Sequence, residues 1–116
     1  MKKAIIKHSS DNVATALENI EANEKVQILS DKTKVLDVIT SIDPIPFGNK
    51  IAICNIETDI EITKCGYSIG KSSKQIQKGK LVHVHNVRSE RINFPDTIID
   101  EIVRQMGLEE KGITVD

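Results

Sequence analysis

A short motif that comes round three times constrains this chain more than any other feature. Leu17-Glu18-Asn19-Ile20-Glu21 is followed by Val26, Ile53-Cys54-Asn55-Ile56-Glu57 by Ile62, and, more loosely, Ser73-Lys74-Gln75-Ile76-Gln77 by Val82. In each copy a branched apolar residue stands six positions after the central isoleucine. Between the two lies a short polar run (Ala22-Asn23-Glu24, Thr58-Asp59, Lys78-Gly79), so each unit reads as a strand, a tight turn and a second strand. Asn23 and Gly79 both tolerate a positive φ, as such turns require. A chain assembled from these units is mainly β, with strands over most of residues 3 to 87.

The repeat also bears on a local ambiguity. Asp11-Asn12-Val13-Ala14-Thr15-Ala16-Leu17 could open a helix with Ser10 as its cap. Aligned on the repeat, it lies over Lys50-Ile51-Ala52-Ile53, whose β-branched residues favour a strand, and we read both segments as strands. Val26 to Leu29 and Lys34 to Thr40 are expected as strands joined by Ser30-Asp31-Lys32. The stretch Asp43-Pro44-Ile45-Pro46-Phe47-Gly48-Asn49-Lys50 has two prolines, which exclude a central strand; it is a stiff loop, either a simple rigid turn or a place for function. Cys65-Gly66-Tyr67-Ser68-Ile69-Gly70-Lys71 reads as a turn between strands.

Past Val87 the pattern changes. Arg88-Ser89-Glu90-Arg91 is a charged connector, and apolar residues at 98, 99, 102, 103 and 106 form a helical stripe, capped by Asp96 and ended by Gly107. The expected division is therefore a β domain over 1–90 and a C-terminal helix and tail over 91–116. The helix would dock either on the sheet or on a partner.

With 116 residues the chain can build one core but no deep two-domain cleft, so it is expected to complete a site rather than enclose one. Its net charge of −1, with both signs interspersed, gives no footprint for nucleic acid or an anionic membrane. Trp is absent and Phe47, Phe94 and Tyr67 are the whole aromatic complement, which argues against base stacking. The apolar run after Met1-Lys2-Lys3 stops at Lys7, too short for a signal peptide, and no segment has the apolar length to span a bilayer. Cys54 and Cys65 are too far apart in sequence for a redox pair and read as reduced, small hydrophobes, which suits a cytoplasmic protein.

The chemistry-bearing stretch is Gly79-Lys80-Leu81-Val82-His83-Val84-His85-Asn86-Val87, which holds two of the three histidines. On an extended strand residues i and i+2 share a face, so His83 and His85 would project together while Val82 and Val84 turn into the core. A neutral imidazole pair with Asn86 beside it can ligate a divalent metal or move protons near neutral pH. The same spacing also suits a half-exposed strand that carries two polar residues and no chemistry.

Several blocks taken together resemble a known family. His8-Ser9-Ser10-Asp11-Asn12-Val13-Ala14, Ile45-Pro46-Phe47-Gly48-Asn49-Lys50-Ile51-Ala52, Lys64-Cys65-Gly66, Ile69-Gly70 and Val82-His83-Val84-His85-Asn86-Val87 occur in the order seen in the SAF domain of the altronate dehydratase and galactarate dehydratase family, which also includes the small subunit of sulfolactate sulfo-lyase. The resemblance runs from about His8 to Val87 and leaves the C-terminal helix outside. It implies a β-clip fold of bent hairpins, and a domain working as the small subunit beside a large dehydratase subunit. The implied reaction is elimination of water, or of sulfite, from a 2-hydroxy carboxylate such as a sugar acid, assisted by a divalent metal, Fe²⁺ first among the candidates, shared with the partner. Carried over block by block, it assigns catalytic roles to His83, His85 and His8, metal ligation to His85 and His83, and substrate binding to Asp11, Asn12, Gly48, Asn49, Lys50 and Asn86. The family often has His where this chain has Asn49 and an aromatic where it has Cys65; Asn49 can hydrogen-bond a hydroxyl but cannot titrate.

Three functions from different classes are compatible with these residues. They are a small subunit of a sugar-acid dehydratase or sulfo-lyase, a carbohydrate or acidic-ligand binding module without catalysis, and an assembly domain whose histidines are incidental. Self-association is open in all three.

Overall fold

The computed structural model describes residues 1–88 together with Arg104 and Gln105. Nine strands lie among them: β1 (Lys2–Ile5), β2 (Val13–Ala16), β3 (Lys25–Leu29), β4 (Val35–Thr40), β5 (Lys50–Ala52), β6 (Glu61–Lys64), β7 (Tyr67–Ser72), β8 (Leu81–Val82) and β9 (Val87–Arg88). They form a six-stranded sheet in the order β4-β3-β1-β2-β5-β8 and a three-stranded sheet in the order β6-β7-β9. The chain is mainly β, as the repeat predicts, and Asp11–Leu17 contributes a strand rather than a helix. β1 is the element sequence reading did not single out. It runs through the middle of the larger sheet, parallel to β3 and antiparallel to β2.

The structure adds a fourth copy of the motif, Ile42-Asp43-Pro44-Ile45-Pro46-Phe47-Gly48, hidden by its two prolines. The four central isoleucines pair as isolated antiparallel bridges, Ile20 with Ile45 and Ile56 with Ile76. Three residues after each, the backbone takes a positive φ, at Asn23, Gly48, Asp59 and Gly79. All four are Asn, Asp or Gly, the residues that enter this region at least cost. Six residues after each isoleucine stand Val26, Ile51, Ile62 and Val82. These four and the central isoleucines are all between 0% and 2% exposed, and each such side chain contributes about 1.5–3 kcal/mol of burial.

The motif thus defines two equivalent halves. Ser41 Oγ donates to the Glu21 carbonyl and accepts from Glu24 N–H, and Ser72 Oγ does the same for Glu57 and Ile60. Asn19 Oδ1 accepts from Phe47 N–H at 2.8 Å, and Asn55 Oδ1 from Lys78 N–H at 2.9 Å. The pairings Lys25–Thr40 and Val26–Ile39 of the first hairpin recur as Glu61–Lys71 and Ile62–Gly70 in the second. The β2–β5 pairing recurs as β5–β8, so β5 serves both halves. Each half has its own core: Ile20, Val26, Ile45 and Ile51 lie in one buried cluster, and Ile56, Ile62, Ile76 and Val82 in the other.

Three expectations need correction or fall outside. The segment Cys65–Lys71 is not one turn: only Cys65 and Gly66 turn, both with positive φ, and Tyr67–Ser72 is β7, where Gly70 lets the Arg88 carbonyl approach. The histidine stretch is not a continuous strand. β8 ends at Val82, residues 83–86 form a turn, and Val84 is half-buried rather than in the core, so the shared-face argument for His83 and His85 does not hold. The helix expected over 96–106 lies outside the described residues, apart from Arg104 and Gln105, which are helical.

Candidate functional site

The turn at 83–86 is made by Asn86. Its Oδ1 accepts from His83 N–H at 3.0 Å and its Nδ2 donates to the Leu81 carbonyl at 2.8 Å, while its own N–H donates to the His83 carbonyl. A side-chain amide that takes both groups a partner strand would have used stops the ladder after Val82. Asn86 is 4% exposed, with both ends of its amide committed to the turn, which leaves it a positioning role rather than the substrate contact expected of it. The turn folds both histidines inward: His83 is half-buried and His85 only 9% exposed.

Both imidazoles keep a buried Nδ1 with no hydrogen-bond partner. Native interiors pair nearly all such atoms, so two orphans on residues two apart single out this turn as the candidate site. Burial, helped by Lys50, holds His83 below the ordinary imidazole range. Burial, together with the charges of Lys74, His83 and Lys80, pushes His85 down to about 4. Both rings are therefore neutral near pH 7, the state in which imidazole binds a metal or accepts a proton.

Lys50 belongs to the same neighbourhood. It lies directly across from Val82, the residue before His83, and across from Thr15 on its other side. Burial and the charge of Lys64 lower its pKa. Lys64, Lys74 and Lys80 were not expected as site residues. Lys80 lies in the histidine stretch itself, whereas the fold brings the charges of Lys64 and Lys74 to bear on Lys50 and His85.

The other expected residues divide between a second locus and structural work. Asp11 is 7% exposed and ties the N-terminal loop to the β6–β7 turn: Oδ2 accepts from Lys7 and His8 N–H at 3.1 Å, and Oδ1 from Gly66 N–H at 2.8 Å. Burial raises its pKa, but the backbone donors Gly66, Lys7, His8 and Cys65 outweigh this and hold it below the usual carboxylate value. His8 packs its ring on Gly66 and is exposed. Its Nδ1 accepts from Ser10 N–H at 3.1 Å and lies 2.7 Å from Ser10 Oγ. A backbone N–H can only donate, so the neutral ring carries its proton on Nε2 and offers a donor, not a base, at that nitrogen.

Asn12 completes the ladder of the second half, donating from Nδ2 to the Glu61 carbonyl and accepting Thr63 N–H on Oδ1, both at 2.8 Å. Its carbonyl accepts Ile53 N–H as the Lys3 carbonyl of β1 accepts Leu17 N–H. Asn49 turns its amide onto the Pro46 and Phe47 carbonyls of its own turn, and Gly48 supplies the positive φ beside it. Among the described residues no three His, Cys, Asp or Glu side chains are grouped to hold a metal ion. Cys54 and Cys65 are free thiols, and no described helix is long and apolar enough to cross a membrane.

Comparison with known proteins covers the stretch that holds these residues. The family model of the altronate/galactarate dehydratase SAF domain matches residues 2–90. Altronate dehydratase of Bacillus subtilis (strain 168) is 35% identical over 89 residues, which are 77% of this chain and 17% of that protein. The (2R)-sulfolactate sulfo-lyase subunit alpha of Chromohalobacter salexigens is 31% identical over 87 residues, 72% of this chain and 92% of that subunit. This chain thus belongs to the altronate/galactarate dehydratase SAF-domain family.

Proposed function

We propose that this chain acts as the SAF-domain subunit of a lyase that eliminates water, or sulfite, from a 2-hydroxy carboxylate, with the bulk of the active site on a larger partner subunit and the assembly in the cytoplasm. The observation that carries the reading is the pair of neutral histidines, each with a buried, unpaired Nδ1, on a turn that Asn86 holds in shape. The match to a sulfo-lyase subunit over 92% of its length supports the two-subunit arrangement.

The proton alpha to a carboxylate is weakly acidic, so such an elimination needs a base and positive charge where the anion develops. His83 and His85 fit a metal's requirements in being uncharged and unsatisfied, but two donors do not make a site, and the partner must supply the rest. A divalent ion held there, Fe²⁺ first among the candidates, would supply Lewis-acid stabilisation of the developing charge. His83 or His85, whichever is not engaged as a ligand, can accept a proton in the neutral state that burial enforces. His8, with its donor Nε2–H, would hydrogen-bond a substrate oxygen rather than act as the base.

The test is co-production with a large dehydratase or sulfo-lyase subunit, isolation of the complex, and mass-spectrometric assay of altronate, galactarate and sulfolactate for elimination products. Consumption of one of them is expected, abolished by a chelator and restored by Fe²⁺ or another divalent ion. His85→Gln in the assembled complex is expected to lower turnover about 10²- to 10⁴-fold. A complex that forms but consumes none of the three would overturn the proposal.

A further inference from the structure

We infer that Phe47 is the anchor by which this chain docks on its larger partner subunit, its ring filling an apolar pocket there and seating the histidine turn against the partner's part of the site. The inference deepens the lyase reading above and rests on it for the existence of that partner.

The fold supplies its own control. Each of the four motif copies turns through a positive φ at Asn23, Gly48, Asp59 or Gly79, and the residues that precede these are Ala22, Phe47, Thr58 and Lys78. Phe47 and Lys78 share even the hydrogen bond that sets the turn, since the N–H of each donates to an asparagine Oδ1 of the paired copy, Asn19 or Asn55. Alanine, threonine and lysine thus satisfy this place in the frame, and nothing in its hydrogen bonding calls for an aromatic ring. Phe47 is 66% exposed, so its ring contributes little to either core. Tyr67, the other aromatic among the described residues, belongs to the smaller sheet and carries a hydroxyl that suits water. Phe47 has no polar atom in its side chain to offset its exposure.

The turn also holds Phe47 in the way a binding anchor requires. Pro44 and Pro46 restrict the backbone just before it. Phe47 N–H is taken by Asn19, Gly48 N–H donates to the Ala16 carbonyl at 2.9 Å, and Asn49 N–H donates to the Pro46 carbonyl at 3.0 Å. Every backbone donor from 47 to 49 is therefore engaged within the chain. A projecting ring on a backbone already fixed loses little entropy on association, and aromatic side chains seated in a partner's pocket dominate interface energies.

Location supplies the occupant. Lys50, where β5 begins, stands opposite Val82, where β8 ends, so the turn before Lys50 and the histidine turn after Val82 leave the ladder at the same end. β2 ends there too: Ala16 N–H donates to the Asn49 carbonyl, and Leu17, the next residue, is a second exposed apolar side chain. The unpaired Nδ1 atoms of His83 and His85 and the apolar projection of Phe47 and Leu17 thus belong to one end of the larger sheet. A subunit that completes the histidines arrives over that end and meets Phe47 as it does so.

The experiment measures, by calorimetric titration, the affinity of the purified chain for the large dehydratase or sulfo-lyase subunit, together with the turnover of the saturated complex. Phe47→Lys places at this turn the residue that fills the equivalent one, and is expected to keep the urea midpoint of the natural chain; Phe47→Ala repeats the test with the residue of the first turn. Each should weaken affinity about 30-fold or more, as loss of an interface hot spot does, and leave turnover at saturation unchanged. Val38→Lys, on β4 at the opposite edge of the larger sheet, should bind as the natural chain does. Undiminished affinity in Phe47→Lys and Phe47→Ala would overturn the anchor. Normal affinity with lowered turnover would also overturn it, and would place the ring against substrate. A natural chain that dimerises by itself, with Phe47→Lys monomeric, would overturn it in favour of a contact between copies. An active complex whose affinity ignores Phe47 sinks the anchor and leaves the lyase reading standing, whereas a Phe47-dependent complex that consumes none of the three acids does the reverse.

Discussion

The two halves of this domain are built on the same frame and put to different uses. In the first, the pairing after the second isoleucine continues: Ile45 leads to Gly48, then through β5 to Ile51 and Ala52, and the chain passes on into the next copy. In the second, Ile76 leads to Gly79 and then to Leu81 and Val82, and there the ladder stops, because the Asn86 amide takes the groups the next residues would have paired. The equivalent registers make the contrast sharp, since Lys50 faces Val82 as Ala14 faces Ile51. A duplicated frame needs its exit in one copy to remain in the sheet, and the other exit is free to carry the histidines. The contrast teaches that the candidate site here is an interrupted strand, not a decorated one.

The largest expected effect separates the two glycines that occupy equivalent turns. An added Cβ at Gly79 would strike the Thr40 carbonyl, whereas at Gly48 it meets nothing within 4 Å. Gly79→Ala should therefore cost at least about 3 kcal/mol, from backbone collision added to a positive φ, and Gly48→Ala about 1–2 kcal/mol from φ alone. Urea unfolding of both variants checks this; equal losses would mean that the halves are not packed differently at these turns.

A pH dependence should distinguish the second half next. The His85 pKa is about 4 in the folded chain, below its ordinary value. Between that value and about 6.5 the unfolded chain binds a proton that the folded chain refuses, so stability falls as pH drops through this window, by up to about 3 kcal/mol. Above it the term is fully present. The difference in urea midpoint between the natural chain and His85→Leu should change with pH from about 7 to 4.5, since other titrating groups cancel in the comparison. A difference independent of pH would show that His85 is not held neutral by burial.

Ser41→Ala and Ser72→Ala each remove a fully buried hydroxyl that stitches a turn, and each should cost about 1–3 kcal/mol. Near-equal values support the equivalence of the halves, and values differing by more than about a factor of three would break it. The smallest effect is expected at Asn19 and Asn55, exposed side chains that each accept one backbone N–H. Alanine at either should lower stability by about 0.5–1 kcal/mol, read from thermal midpoints.

Sequence alone determined the mainly β fold, the turns of the repeat and the core residues that the repeat marks, because an isoleucine followed six residues later by another branched residue, with Asn, Asp or Gly between, is a local pattern with one good solution. It placed Ile20, Val26, Ile56, Ile62, Ile76 and Val82 on a common role, and the structure buries all six. The fourth copy escaped because Pro44 and Pro46 masked it, although Ile45, Gly48 and Ile51 keep the same spacing. β1 escaped because Lys2–Ile5 lacks a periodic pattern and is a strand only through its neighbours on both sides. Val82 to Val87 alternates as a strand should; what ends it is a contest between ladder pairing and the Asn86 amide, which depends on where Leu81 and His83 sit in three dimensions. Asp11 reaches Gly66, 55 residues away, and Asn12 reaches Glu61 and Thr63, 49 and 51 residues away, while the charges that act on Lys50 and His83 come from other strands. Burial and the meeting of like charges are properties of a closed tertiary structure, and no spacing along a chain encodes them.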